Sequence, residues 1–356
     1  MTGTVDDGRQ PVTIYDVARA AGVAPSTVSR AFSRPGRVNS ETAARIRRVA
    51  DELGYRTVPP TRARAISRTR LLALVVSDVA NPFYAEIIHG AQAAATADGY
   101  ALLLIDAHES ERLERSTLER TLPLVDGVLL AGTRLSDSAI RMLSKQKPVI
   151  VLNRTIVDVP SVVPDNARGI RLAVQHLADL GHQSITYLSG PEASWADGSR
   201  WRAVLESTAA LSLRARRVGP FAPDLAGGTR AAEELSARLP SAVIAFNDQL
   251  AIGLVRGLTA HGVRVPRDVS VVGFDNISVA GLVTPGLTTV AAPLHTEGAT
   301  ATRHLMTLVA SGQRGTILSA VLPVRLIVRG STGRRRRRRS IPVHPAPPTT
   351  DTDVPS

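Results

Sequence analysis

The 356-residue sequence predicts two unlike parts: a small all-α head built as a helix-turn-helix, followed by an α/β body of two doubly wound, parallel-sheet lobes. Three observations predict this division. Three short helical patterns sharing one apolar face fill Thr13 to Tyr55. From Leu71 onward short apolar runs alternate with longer helical stretches. Positive charge gathers at the two ends of the chain instead of being spread along it.

In the head, Thr13 can cap a first helix, with Asp16 favourable at the positive helix N-terminus and Ile14, Val17, Ala18 and Ala21 on one face. Gly22 permits a tight turn. Pro25 suits the first position of a second helix, where its missing N–H costs nothing, and Val28 with Phe32 continues the apolar face. Ser26, Thr27, Ser29 and Arg30 are left outside that face. Ser40 begins a third helix whose Ile46, Val49 and Leu53 close a small core before Gly54 ends it. Any small three-helix bundle shows such spacing, so charge decides what the head is for. Residues 1–70 carry 13 arginines and no lysine against 6 acidic residues, and the segment from Arg334 carries six arginines against two aspartates. With a total of +12, the long middle is close to neutral. A basic small domain on a near-neutral large one is the electrostatic footprint of a DNA-binding head with a separate sensing body.

In the body, LLALVV (71–76), ALLLI (101–105), GVLLA (127–131), VIVL (149–152), ITYL (185–188), AVIAF (242–246) and VSVVGF (269–274) read as buried parallel strands. Helical patterns such as Tyr84 to Asp98, Gly169 to Leu180 and Gln249 to His261 lie between them. Such sheets bind ligands beyond the carboxyl ends of their strands. Those ends carry Asp78 to Tyr84, Asn153-Arg154, Asn247-Asp248 and Asp275-Asn276. Four polar clusters converging on one cleft, with Tyr84 and Phe221 as flat apolar faces, suit a polyhydroxylated ligand such as a sugar. Asn and Asp after strands also cap helices, and Asp248 is read as such a cap.

No cysteine occurs, which excludes disulfides, thiolate zinc sites and cysteine nucleophiles; no metal and no cofactor is expected. The polar first ten residues and the lack of any 18-residue apolar window predict a cytoplasmic chain without membrane span. Two other classes remain open beside a regulator: a sugar-binding protein without a role on DNA, and an enzyme. Against the enzyme, the sequence has no G-x-S-x-G, phosphate loop, H-E-x-x-H or dinucleotide glycine fingerprint.

The wording of TIYDVARAAGVAPSTVSRAFSRPGRVNSETAARIRRVADELGYR resembles the DNA-binding head of the lactose/galactose repressor (LacI/GalR) family. DVANPFYAEIIHGA, LVDGVLLAG, PSVVPDNARGIRLAVQHLADLGHQSITYLSGP, AFNDQLAIGLVRGL and PRDVSVVGFDN resemble its effector-binding core, itself similar to periplasmic sugar-binding proteins. The resemblance runs from Thr13 to about Ser331. It implies a homodimeric, ligand-responsive regulator, most simply a repressor, on a palindromic operator with half-sites about 34 Å apart. It implies that Pro25, Ser26 and Arg30 meet base edges, Arg30 being suited to bidentate recognition of guanine, while Thr27, Ser29 and Asn39 touch phosphate or sugar. Thr13, Tyr15 and Tyr55 complete the expected DNA contacts of the head. For the effector it implies Asn247 and Asp275 as hydrogen-bonding residues and Tyr84, Asn153 and Phe221 as pocket lining.

Two stretches depart from the family. In GPEASWADGSRWRAVLE, Asp197 stands where the family usually has an arginine, and Arg200 replaces a glycine. Either Arg200 takes over the ligand contact or the ligand is of another kind; Trp195 or Trp201 can stack on a ring. The linker from Arg56 to Arg70 lacks the family's Pro-Asn and puts Arg64 at the position of the minor-groove leucine, so Arg62 and Arg64 are expected to touch the minor groove instead. The expected organisation is a disordered extension (1–11), head (12–57), linker (58–70), body (71–331) and disordered arginine-rich tail (332–356). Within the body the N-lobe is expected at 71–164 plus 293–317 and the C-lobe at 165–292 plus 318–331. The tail's run of arginines is expected to attract DNA without regard to sequence.

Overall fold

The computed structural model describes residues 12–33, 38–53, 55, 69–312 and 319–335. The expected disordered extension, Arg62, Arg64, Gly54 and most of the tail lie outside these residues. The chain forms two compact units, Met1–Arg68 and Thr69–Ser356.

The head contains α1 (Ile14–Ala21), α2 (Pro25–Ser33) and α3 (Ser40–Glu52). The Asp16 carboxylate accepts from the Thr13 amide (2.9 Å) and hydroxyl (2.6 Å), and Gly22 closes α1 in the left-handed region at φ 66°. The N-cap of α3 is Asn39, whose side chain accepts from the Glu41 amide at 2.9 Å. Val17, Ala18, Ala21, Val28, Ala31, Ile46 and Ala50 form the buried core of this unit. The apolar spacing placed Val17, Ala18, Ala21, Val28 and Ile46 inward correctly and Ile14, Phe32 and Val49 partly so, but it missed Ala31 and Ala50, and Leu53, expected in the core, is exposed at the end of α3.

The body holds two six-stranded sheets. The N-lobe sheet runs in the order β11 (Ala320–Leu322), β5 (Ser161–Pro164), β4 (Val149–Leu152), β3 (Gly127–Ala131), β1 (Leu71–Val76), β2 (Ala101–Asp106), all parallel. The C-lobe sheet runs β12 (Arg325–Ile327), β10 (Thr288–Ala291), β9 (Ser270–Asp275), β8 (Ala242–Ala245), β6 (Ser184–Leu188), β7 (Arg214–Val218), with β12 antiparallel at its edge. Because β11 pairs with β5, it belongs to the N-lobe. The last crossing between lobes therefore falls after Leu322, and the expected boundary at 318 is corrected. The short edge strand carries too few apolar residues to declare its sheet. The start of the tail moves as well: Ser331 to Arg335 are held on the C-lobe by hydrogen bonds to Val271, Ser270 and Leu180.

Layers of helices cover both sheets. Among them α4 (Pro82–Ala97) and α11 (Leu294–Ser311) approach so closely at Gly90 and Gly298 that an added Cβ would strike the His295 and Ile87 carbonyls. Among the described residues no helix is long and apolar enough to cross a membrane.

Candidate functional site

A cleft lies between the carboxyl ends of the two sets of strands, where doubly wound sheets take small ligands. Tyr84, Asn153, Arg200, Asn247 and Asp275 all line it, brought together from α4 and from the ends of β4, β8 and β9, with Arg200 on α8 (Trp195–Ala210). Phe221 does not. It is buried in the C-lobe core with Leu188, Val218 and Leu250, and Pro223 takes its place at the surface of the cleft. The flat apolar walls come from Phe83, Trp195 and Phe246. Trp201, the other tryptophan, stacks on Tyr187 at 5.9 Å on the far side of α8.

Each polar residue is held by local structure. Tyr84 is buried and its hydroxyl lies 2.5 Å from Ser77 Oγ; burial raises that phenol far above its ordinary range. Gly132, at φ 75°, leaves the room that this hydroxyl fills. Asn153 adopts φ 62°, and its buried Nδ2 has no hydrogen-bond partner among the described residues. Asn247, read as a ligand residue, is also the N-cap of α10 (Asp248–Ala260): its Oδ1 accepts from the Leu250 amide (2.9 Å) and its Nδ2 donates to the Pro223 carbonyl (2.9 Å). Asp248, read as the cap, is one residue too late. It is fully buried and receives the Ile277 amide (2.9 Å) and the Thr289 hydroxyl (2.5 Å), which fixes the loop after β9. Burial, with the Asp275 charge nearby, pushes its carboxyl up to about 8.

The Arg200 guanidinium lies at the cleft and is held by protein groups. Its Nε donates to Asn166 Oδ1 (3.0 Å), Nη1 to the Phe246 carbonyl, and Nη2 to Asp275 (3.3 Å), with the guanidinium 3.6 Å from the Phe274 ring centroid. Asp275 is buried too. Desolvation raises its carboxyl against the opposing pull of Arg200. Asp197 turns away from the cleft and accepts from Tyr187 Oη (2.8 Å), the Gly190 amide (2.7 Å) and Arg217 (2.6 Å).

The sequence reading named Asn81 and Arg154 within the strand-end clusters but missed Glu109, Thr133 and Arg134. Arg134 Nε donates to Glu109 at 2.6 Å, and Arg154 pairs with Asp137 while donating to the Leu135 carbonyl (3.1 Å). Asn81 caps α4 and accepts from Gln249 Nε2 across the lobes at 3.0 Å. Behind the cleft Glu297 of α11 is fully buried, and desolvation holds its carboxyl well above the carboxylate range. Glu109 and Arg134 follow their strands by three residues, beyond the strand-end positions that drew attention.

In the head, Ser26, Ser29 and Arg30 are exposed on α2, Thr27 and Pro25 are half-buried, and Tyr15 on α1 is 65% exposed. Thr13 and Asn39 sit at helix caps, and the Tyr55 ring packs on Phe32 with centroids 6.2 Å apart. The helix face opposite the core is thus polar and open, as a groove-reading helix requires.

Residues 13–57 match the family described as bacterial regulatory proteins, lacI family, and residues 174–332 match the periplasmic binding protein-like domain. The transcriptional regulator DegA of Bacillus subtilis is 33% identical over 90% of this chain and 98% of its own length. This chain belongs to the LacI family. The LacI-family fold extends through the body. A transcriptional regulator CelR solved with cellobiose is 30% identical, with a TM-score of 0.68, over 90% of this chain and 99% of that one. The lac repressor dimer bound to operator is 26% identical, with a TM-score of 0.67, over 91% of this chain and all of that one. This LacI-family member is accordingly a DNA-binding transcriptional regulator with a helix-turn-helix head and a two-lobed sensing body.

Proposed function

We propose that this regulator represses from a palindromic operator as a homodimer, in the bacterial cytoplasm, and that its effector is an uncharged polyhydroxylated molecule of carbohydrate type bound between the lobes without turnover. One observation carries the ligand class. Each guanidinium lining the cleft is paired with a carboxylate: Arg134 with Glu109, Arg154 with Asp137, Arg200 with Asp275. Among the described residues an anionic ligand would find no unpaired cation there, and burying an unpaired charge is costly. A neutral polyol can instead accept from Asn153 Nδ2 and lie against Trp195 and Phe246. The cellobiose complex of the CelR relative supports the same class.

On DNA, Arg30 and Ser26 read base edges, with Pro25 in apolar contact; Thr27, Ser29, Asn39, Thr13, Tyr15 and Tyr55 fix the register on the backbone. Arg62 and Arg64 reach the minor groove. Effector alters operator affinity because it binds the two arrangements of the lobes unequally. Calorimetric titration with neutral sugars, their phosphates and their uronic acids tests the ligand class. Neutral sugars should bind more tightly than their charged derivatives, and the reverse order would overturn it. With an operator selected from genomic fragments, Arg30→Ala should weaken specific binding by about 1–3 kcal/mol. Unchanged affinity would remove Arg30 from the base readers.

A further inference from the structure

On the N-lobe wall of the cleft, His108 (φ 47°) and Glu109 (φ 56°) follow β2 as two consecutive non-glycine residues in the left-handed region. Such strain persists only where the surroundings over-determine it, and it gathers at ligand sites. Here the Glu109 amide donates to the Ser77 carbonyl (2.7 Å) and the His108 amide to Asp106 Oδ1 (3.0 Å). Ser110, the next residue, caps α5 (Glu111–Thr121) by accepting from the Leu113 amide at 3.3 Å. The Glu109 side chain is thereby delivered to the lining of the cleft.

Arg134 meets Glu109 from the loop after β3. Its Nε (2.6 Å) and its Nη2 both donate to Glu109 Oε2. Among the described residues Glu109 Oε1 accepts no hydrogen bond and Arg134 Nη1 donates none, although both side chains line the cleft. The other two arginines of the cleft spend Nη1 on the protein: Arg154 on the Leu135 carbonyl (3.1 Å) and Arg200 on the Phe246 carbonyl. The loop bearing Arg134 is clamped from behind by Glu114 of α5, which is fully buried and accepts from the Thr133 hydroxyl (2.5 Å) and the Arg134 amide (2.9 Å). One helix therefore fixes both partners. Its cap follows Glu109 directly, and its first turn carries the carboxylate that holds Arg134.

We propose that Glu109 and Arg134 form the subsite that recognises two adjacent hydroxyls of the effector, with Glu114 as the residue that positions it. In a vicinal diol one oxygen accepts from Arg134 Nη1 while the neighbouring hydroxyl donates to Glu109 Oε1, so both groups left over from the ion pair are used when the cleft fills. A lone hydroxyl satisfies only one of them. A carboxylate or phosphate in this place would lie against the Glu109 charge. This subsite presupposes a carbohydrate-type effector, and it narrows that class to molecules with a free vicinal diol.

Full-length protein is titrated in a calorimeter with glucose, galactose, ribose, xylose and cellobiose, and with the monodeoxy derivatives of each sugar that binds. Removing either of two adjacent hydroxyls should weaken binding to the wild type about tenfold, as loss of a hydrogen bond to a charged group does. Glu109→Ala and Arg134→Ala should each bind the parent sugar about tenfold more weakly yet lose little further with the matching deoxy sugar, because both changes remove the same contact. Glu114→Gln should lose the same discrimination while binding the deoxy sugars as the wild type does. Equal weakening of every sugar in Glu114→Gln would overturn its assignment as the positioning residue. Deoxy penalties unchanged in Glu109→Ala and Arg134→Ala would overturn the subsite and leave the carbohydrate reading intact, and so would penalties confined to hydroxyls that are not adjacent. Absence of binding by every sugar would overturn the carbohydrate reading, and the subsite with it.

Discussion

The two lobes present different kinds of ion pair to the same cleft. On the N-lobe wall, Arg134–Glu109 and Arg154–Asp137 keep one partner 23% exposed and the other 42% or 49% exposed. On the C-lobe wall, Arg200 and Asp275 are only 5% and 6% exposed, and the arginine is also locked between Asn166, the Phe246 carbonyl and the Phe274 ring. Water can replace either partner of the first two pairs; it reaches the third only at its edge on the cleft. The C-lobe wall is therefore part of the fold, whereas the N-lobe wall can be retuned without unfolding the protein.

Asp275→Ala tests this most severely. It leaves Arg200 buried without its carboxylate and should destabilise the body by about 3–5 kcal/mol in chemical denaturation, abolishing effector binding with it. A loss of less than about 1 kcal/mol would place Arg200 with the N-lobe pairs. Next comes pH. The Asp248 carboxyl is lifted by burial to about 8, so the folded body holds a proton that the unfolded chain releases near 4. That contribution to stability is complete in acid and is lost as pH rises through about 8. Calorimetry should show Tm falling between about pH 4 and pH 8, with a flatter slope in Asp248→Asn; parallel slopes would assign the titration elsewhere. Gly132→Ala introduces a side chain at φ 75° against the Tyr84 hydroxyl and should cost about 1–3 kcal/mol, measured the same way. Arg134→Gln should change stability by less than about 1 kcal/mol while altering effector affinity in titration. A larger destabilisation would erase the contrast between the walls.

The same contrast bears on what could be read from sequence. Strands buried on both faces, such as β1, β3 and β4, appear as unbroken apolar runs and were placed to the residue. The edge strand β7 is Arg-Ala-Arg-Arg-Val, with its arginines in solvent, and nothing in that pattern marks a strand. β11 and β12 span three residues each and escaped for lack of length, whereas β5 (SVVP) and β10 (TTVA), as long as β4, have only two or fewer adjacent apolar residues beside serine, proline or threonine. At the site, Asn153 and Asp275 were legible because each ends or directly follows an apolar strand. The cap is Asn247 and not Asp248, because a cap and the first helical residue differ by one position. Phe221 was misplaced because an aromatic beside a cleft and one beneath it have the same local sequence. Which partner Arg200 takes depends on residues 34 and 75 positions away, a matter of tertiary structure alone.

The late strands β11 and β12 have a consequence for synthesis. The head is contiguous and can fold as soon as its helices have emerged. Each lobe, by contrast, waits for the last part of the body to supply an edge strand, so β5 and β10 keep an open hydrogen-bonding edge while the chain is still on the ribosome. A chain cut anywhere before Ala320 leaves both sheets one strand short, so the two lobes reach maturity together.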